Sequence, residues 1–500
     1  MTASLPIVEE LSPAPDPVDC CARFHGLPYL LFLDSARDPD RLGRYSFLSA
    51  DPAVVLRSKG AQAERVSLPD GARTTLETHV LAEARSLLAP FRTEEVSGLP
   101  PFQGGIAGYL GYDWGAVLER LPAPRYDDLA IPDAMLGLYD WVLAWDHAAH
   151  RAWIISTGIP ELGPARAHRA AARVAMVRAR LAGPPRESTI SPCPSVERAP
   201  SYPVDGVEQG AAIGLRSSFT HRGYLDVVRR VREYIIAGDI FQANISQRLE
   251  APLREPPWSL YTRLRALNPA PFAAYLDFDD VRVLSASPER FLRLDPAGHV
   301  EARPIKGTRP RGIHPAHDAA LGRALADSAK DRAENLMIVD LLRNDLSRVC
   351  APGTVRVPEL FAVEHYSTVH HLVSTITGTL EPGRDAVDLL CATFPGGSIT
   401  GAPKVRAMEI IAELEPSRRG VYCGSIGYLA LSGALDASIV IRTYLAIGNR
   451  VYFSVGGGIV ADSDPEQEYH ETLDKARALI AALAGAGRAV GGSPSSPEPR

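Results

Sequence analysis

Lysine, glutamate and arginine side chains at a few positions of this sequence could do chemistry on an anionic substrate. Lys306 stands in EARPIKGTRPRG, residues 301–312, where a strand-like start runs into a loop with two glycines and three arginines. Gly307 and Thr308 can offer backbone N–H groups and a hydroxyl to an anion, and Arg309 and Arg311 add positive charge. A carboxylate-bearing molecule could be held there against the lysine amine. The same composition also suits a solvated basic turn, so the surrounding elements must decide.

Two acidic pairs carry a second kind of chemistry. Asp331 and Glu334 lie at i and i+3 of a helical pattern over residues 328–345, so they share a face. Glu468 and Glu471 repeat that spacing in a helix opened by Asp464-Pro465, with Lys475 one turn further on. Either pair alone suits an ordinary helix surface, and Glu471 to Lys475 is a normal stabilising pair. Together they form a carboxylate set suited to a hard cation such as Mg²⁺. Arg442 could fork onto a carboxylate, with Tyr428 expected on an adjacent strand, and GGGI at 456–459 leaves little side chain to block a ligand. His365, His370 and His371 lack metal-ligand spacing, and adjacent His370 and His371 would face opposite sides of a strand.

The elements must bring these groups together. Residues 291–294 and 300–303 read as a hairpin around Asp295-Pro-Ala-Gly298, which brings Glu289 and Lys306 to one open end. Residues 273–278 and 281–285 read as another, turning at Asp279-Asp280. Residues 421–431, 437–447 and 451–455 read as a three-strand antiparallel meander. In the first part of the chain, 29–33, 45–48, 53–56, 104–112, 141–145 and 152–156 are strand candidates, and 76–88 and 165–181 are helices. A helix follows Thr220 and stops at Gly238. The glycine-rich TFPGGSITGAPK, 393–404, is no Walker loop, because Ala402 and Pro403 separate glycine from lysine. The Pro/Ser-rich stretch 183–216 reads as a linker between an N-terminal region (1–182) and a second region (217–485). Residues 486–500 read as a disordered tail.

Composition bounds the rest. The chain has 500 residues, is 46% hydrophobic and 22% charged, and carries a net charge of −6. That charge offers no footprint for nucleic acid. No apolar run approaches the ~20 residues of a membrane span. The acidic, Pro-rich N-terminus lacks a signal-peptide core, and no two of the six cysteines form a C-x-x-C pair. A cytoplasmic enzyme is expected.

Eight segments in order, GDIFQANISQR, SASPERF, PIKGTRPRG, ENLMIVDLLRNDLSRV, FPGGSITGAPK, GSIGYL, IVIRT and VGGGIVADSDPEQEYHETLDKA, resemble the chorismate-utilising enzymes. The resemblance implies an α+β fold of two stacked antiparallel sheets with surrounding helices, the N-terminal region interlaced with the rest. It implies that Glu334 and Glu471 coordinate Mg²⁺, with Asp331 and Glu468 in or just outside the coordination sphere. It implies that Gly307 and Thr308 hold the ring-carboxylate end of chorismate. Tyr428, Arg442, Gly456 and Gly458 would hold the enolpyruvyl carboxylate, with Gln242, Thr400 and Lys475 also lining the substrate site. Glu289 would be the general acid for the departing C4 hydroxyl, with His371 beside it. Gln242 stands where members that add water at C2 carry a lysine base. Lys306 in PIKGT resembles the aminodeoxychorismate synthase branch, component I, in which the lysine attacks C2 before ammonia enters at C4. That branch makes a precursor of p-aminobenzoate and folate, and the resemblance implies ammonia from a separate glutamine amidotransferase subunit. Ser35 in LDSA resembles part of the family's regulatory tryptophan pocket. Two other readings are anthranilate synthase component I and a non-catalytic tryptophan-sensing subunit. The intact set Glu289, Glu334, Glu471, Arg442 and Lys306 argues against the latter.

Overall fold

The computed structural model describes residues 5–36, 38, 41–68, 70–188, 198–204, 206–207, 209–278, 281–366 and 369–485. The tail 486–500, the Asp279-Asp280 turn and residues 189–197 of the linker segment lie outside them.

Period-two burial organises the chain into two antiparallel sheets, of 13 and 12 strands among the described residues. In the first sheet both faces of the strands are apolar. Leu31, Phe47, Ala274 and Val283 point to one side, and Leu30, Leu48, Tyr275 and Leu284 to the other. Alternation with both faces buried explains why YLLFL reads as a continuous apolar run. The side carrying Leu31 and Phe47 packs against Val55, Tyr109, Met135 and Ile426 of the second sheet, so the sheets stack face to face. The opposite side is covered by helices that include Pro17–Phe24, Gly163–Ala182, Pro257–Leu267 and Pro465–Ala484. The fold is α+β, as the resemblance implies.

The two halves of the chain are interlaced. Leu30–Asp34 pairs with Phe272–Phe278, and Gly105–Leu110 pairs with Ser425–Ala430. The stretch 183–216 carries two short strands, Tyr202–Pro203 and Arg216–Ser217, and the helical turn Gly210–Ile213.

Several local expectations hold. The 291–303 hairpin pairs Arg293 with Glu301 and Leu294 with Val300. The helix His221–Ile236 is capped by the Thr220 hydroxyl, and the Asp464 carboxylate caps Pro465–Ala484. Three differ. Residues 73–76 form a strand, and the helix expected from 76 begins only at Val80. Thr74 and Thr75 favour the extended form, and pairing with Gln62–Ser67 holds it. Residues 305–310, expected as loop, form a strand. The expected three-strand meander is four strands in two sheets: Ser425–Ala430 and Leu435–Ile439 in the second, Thr443–Ile447 and Arg450–Ile459 in the first. A run apolar on both faces does not reveal that the chain changes sheet at 440–442.

Candidate active site

Lys306 and Gly307 lie in a bulge. Ile305–Pro310 pairs with Val369–Thr379, matching Ile305 to Val373 and Thr308 to His371, which leaves one extra residue on the lysine strand. Bulges re-aim side chains, and here the lysine amine points toward carboxylates of three elements. Burial lowers the Lys306 pKa, opposed first by Glu334, while Lys475 reinforces the lowering and Glu289 and Glu471 oppose it. The arginines expected to add positive charge to this stretch are paired with carboxylates: Arg309 to Asp331 at 2.8 Å and Arg311 to Asp318 at 2.6 Å.

Glu289 precedes the Arg290–Leu294 strand and is 5% exposed. Burial raises its carboxyl to about 7, against hydrogen bonding by Ser398, the positive charge of Lys306 and the backbone of Ile305. The expected meeting of Glu289 and Lys306 at one hairpin end is therefore met. Ser398, from the turn Gly397–Ile399, enters as a partner that no spacing signalled.

The acidic pairs converge from two helices. Lys330 Nζ lies 4.0 Å from Glu334 and 3.8 Å from Glu468. Burial raises the pKa of Glu334, and Asp331 and Glu471 raise it further. Burial also raises Glu468, although Ser463 donates a hydrogen bond to it. Burial pushes Glu471 up as well, but Lys475 at 2.7 Å turns its net shift downward. Crowded carboxylates that repel one another, all with oxygen donors, suit a hard cation. Gly457 faces the cluster, since a Cβ there would sit 3.1 Å from Glu468 and 3.5 Å from Glu471. Asp331 is turned to Arg309. Among the described residues no three such side chains yet close around one point.

The far wall is built by Gln242–Pro252 and Arg450–Ile459, paired with Asn244 opposite Gly458 and Ser246 opposite Gly456. Lys475 Nζ donates to the Gly456 carbonyl at 2.8 Å. The Gln242 side chain fills the space over Gly458, where a Cβ would lie 2.0 Å from its Nε2. Its Oε1 is buried with no hydrogen-bond partner among the described residues. Thr400 turns its hydroxyl back to the Gly396 carbonyl at 3.1 Å, and its own carbonyl accepts from the Asn244 N–H. It therefore braces the glycine-rich loop against the wall.

Arg442 sits where the chain changes sheets, with φ of 53°. That is a left-handed conformation a non-glycine residue adopts only when its surroundings enforce it. Burial lowers its pKa, opposed by the Tyr422 phenol beside it. No carboxylate among the described residues pairs with it. A buried guanidinium without an anion is costly, and a substrate carboxylate would relieve that cost. His371 is nearby: burial lowers its pKa to about 4, with Arg442 adding to the effect, and its Nδ1 lies 2.8 Å from the Thr308 hydroxyl. His370 faces the other way, toward Asp318 at 2.9 Å.

Tyr428 is not in this cluster. It stacks on Phe102 at 4.7 Å and lines a separate cavity of about 350 Å³ with Ser35, Phe47, Arg293 and Asp436. Tyr428 belongs to the second sheet, whereas Arg442 follows the crossing, so the two are not on adjacent strands. Tyr422 stands by Arg442 instead. Reading the 421–447 run as one meander hid it, and the strand period alone carries no signal for it. The Ser35 hydroxyl donates to the Tyr45 and Pro271 carbonyls, fixing one edge of the second cavity.

A family model described as chorismate binding enzyme matches residues 31–481. Aminodeoxychorismate synthase component 1 of Salmonella typhimurium is 44% identical over 456 residues, covering 91% of this chain and 93% of that protein. Anthranilate synthase component 1 of Thermus thermophilus is 41% identical over 453 residues, covering 90% and 92%. The crystal structure of anthranilate synthase component I from Streptococcus pneumoniae superposes with a TM-score of 0.73 at 30% identity, covering 87% of this chain and 92% of that one.

Proposed function

The chain belongs to the chorismate binding enzymes, and from that premise we propose that it is an aminodeoxychorismate synthase component 1, aminating chorismate at C4. The carrying observation is Lys306, aimed by a bulge toward Glu289 and desolvated enough to lower its pKa. A lysine with an ordinary pKa of about 10.4 is almost wholly protonated at neutral pH. Desolvation enlarges the neutral, nucleophilic fraction.

In this reading Arg442, with Tyr422 beside it, receives the enolpyruvyl carboxylate at the glycine wall. Glu289, raised to about 7, keeps a substantial protonated fraction at neutral pH and delivers its proton to the C4 oxygen, which departs as water. The Lys306 nitrogen bonds to C2 as the ring double bond shifts and the C4–O bond breaks. Ammonia then bonds to C4, and the returning shift expels the lysine. His371, kept neutral by burial, lines the leaving-group side. Magnesium is part of the proposal: Glu334 and Glu471, with Glu468 beside them, would hold it, and when bound it supplies positive charge to the ring carboxylate. Gly307 and Thr308 line that end. The ammonia source is a separate glutaminase subunit. We also assign tryptophan to the cavity at Ser35, whose Phe47 and Tyr428 rings suit an indole.

Relatives named for anthranilate synthesis stand nearly as close in sequence, so product identity is the test. Chorismate, Mg²⁺ and ammonium should yield 4-amino-4-deoxychorismate by mass. Anthranilate as the main product would defeat the proposal. Lys306→Ala should cripple C4 amination. A lysine adduct should be trapped by mass spectrometry when ammonia is withheld, and an adduct on another residue would remove the covalent role.

A further inference from the structure

A buried carboxylate that the mechanism leaves unused stands next to His371. The strand Arg356–His365 pairs with Val369–Thr379 and sets Glu364 directly opposite His371. The Glu364 side chain is only 5% exposed. A carboxylate at that depth is costly unless it is paired, and three donors converge on it. Arg303 Nη2 at 2.5 Å and Arg41 Nη2 at 2.7 Å both reach Oε1, and the Tyr366 hydroxyl donates to Oε2 at 2.7 Å. Burial pushes the Glu364 pKa up, but the Tyr366 hydrogen bond and the charges of Arg303 and Arg41 turn the net shift downward.

The donors are themselves held. Arg303 also donates to the Thr375 hydroxyl at 2.9 Å, and that hydroxyl donates to Glu359 at 2.9 Å. Arg41 arrives from the first part of the chain, on a turn closed by the Gly43 N–H on the Asp38 carbonyl at 2.9 Å. Tyr366 is pinned at its backbone, where its N–H donates to the Val369 carbonyl at 2.8 Å, and at its hydroxyl by Glu364. Between those two anchors its ring meets the His371 ring edge-on, with centroids 5.4 Å apart and planes at 63°. The Thr308 hydroxyl holds His371 at one atom, Nδ1. One hydrogen bond fixes a point of the imidazole, and the ring contact fixes its tilt.

We propose that Glu364 is a positioning residue for the departure of the C4 oxygen: braced by Arg303 and Arg41, it holds the Tyr366 hydroxyl, and the Tyr366 ring sets the orientation of His371. Glu364 acts through Tyr366 and not on the substrate. A displacement of about 1 Å in a group at the reacting centre can cost about 10²-fold in rate, so a brace of this kind is felt in turnover. A cluster that only stapled the first part of the chain to the sheet would lower stability and leave the rate per folded molecule unchanged. The inference rests on the reading that puts His371 on the leaving-group side.

Chorismate consumption with Mg²⁺ and ammonium, followed whatever the product, reads the effect without depending on which amine forms. Tyr366→Phe removes one oxygen and leaves both arginines paired with Glu364. It should lower kcat about tenfold and keep the KM for chorismate within about twofold of wild type. Glu364→Gln keeps the shape, removes the charge and should lower kcat at least as much. In a His371→Asn background the added Tyr366→Phe change should alter kcat by less than about twofold, because its effect passes through the imidazole. An equal fall in both backgrounds, or wild-type kcat in Tyr366→Phe, overturns the proposal. If Glu364→Gln shows no cooperative thermal transition, Tyr366→Phe and the double variant decide alone. Wild-type turnover in His371→Asn defeats the placing of His371 at the leaving group, and the positioning role falls with it.

Discussion

At the scale of single residues, pKa values separate the roles in the cluster. Glu289 is raised to about 7 by burial, even though Ser398, Lys306 and Ile305 all favour its charged form. Its folded pKa lies above its unfolded one, so protonated Glu289 is the form the fold prefers. The stability it contributes is fully present below the unfolded value, roughly 4.3, and is lost as pH rises through about 7. Catalysis follows the same proton. The group can donate only below its pKa, so kcat/KM for chorismate should fall on the alkaline side with a midpoint near 7. Glu289→Gln should remove that limb and cost about 10²–10⁴-fold in rate. A limb that persists in the variant would assign the proton to another group. Much of this chemistry was legible in the sequence. Glu289 beside Lys306 followed from one hairpin, and the two acidic i, i+3 pairs followed from helical spacing. The direction of the Lys306 shift was not legible, because it depends on how far desolvation outweighs Glu334. Nor was the fate of Arg309 and Arg311, whose partners lie 22 and 7 residues away on helices.

At the scale of elements, the site depends on two strands approaching closely. Gln242 and Gly458 belong to neighbouring strands of one sheet, and the glutamine side chain occupies the volume a Cβ at 458 would need. The conflict is with a side-chain end and not with backbone, so Gly458→Ala should fold, at a cost of about 1–3 kcal/mol for overpacking. The displaced Gln242 should protrude into the chorismate site. We expect chorismate KM to rise about tenfold, one 1.4 kcal/mol step, with partial recovery in Gly458→Ala/Gln242→Ala. Wild-type KM in the single variant would show that this approach does not shape the site. Sequence reading found most strands and caps here, because period-two burial and Ser, Thr and Asp caps are local signals. It misassigned the 421–447 run, since strands apolar on both faces carry no mark of which sheet they join. That error put Tyr428 beside Arg442 and hid Tyr422.

At the scale of the molecule, the two sheets draw strands from both ends of the chain, so a boundary in composition at 183–216 does not divide the core. Removing residues 1–182 would strip Leu30–Asp34 from Phe272–Phe278 and Gly105–Leu110 from Ser425–Ala430. The exposed strands would present unpaired backbone edges. They would also lose Leu31, Phe47, Val55, Tyr109, Met135 and Trp153 from the core between the sheets. Each such side chain contributes about 1.5–3 kcal/mol by burial, while a whole domain is stable by only about 5–15 kcal/mol. The loss of six is therefore comparable to the entire margin. A fragment of residues 217–485 expressed alone should show no cooperative thermal transition and no near-ultraviolet circular dichroism of packed aromatics. Adding the separately expressed N-terminal region should restore both if the halves can still interlace. A fragment that unfolds cooperatively by itself would mean that the second region closes its own core, and that the shared sheets are a docking of two stable units and not one fold.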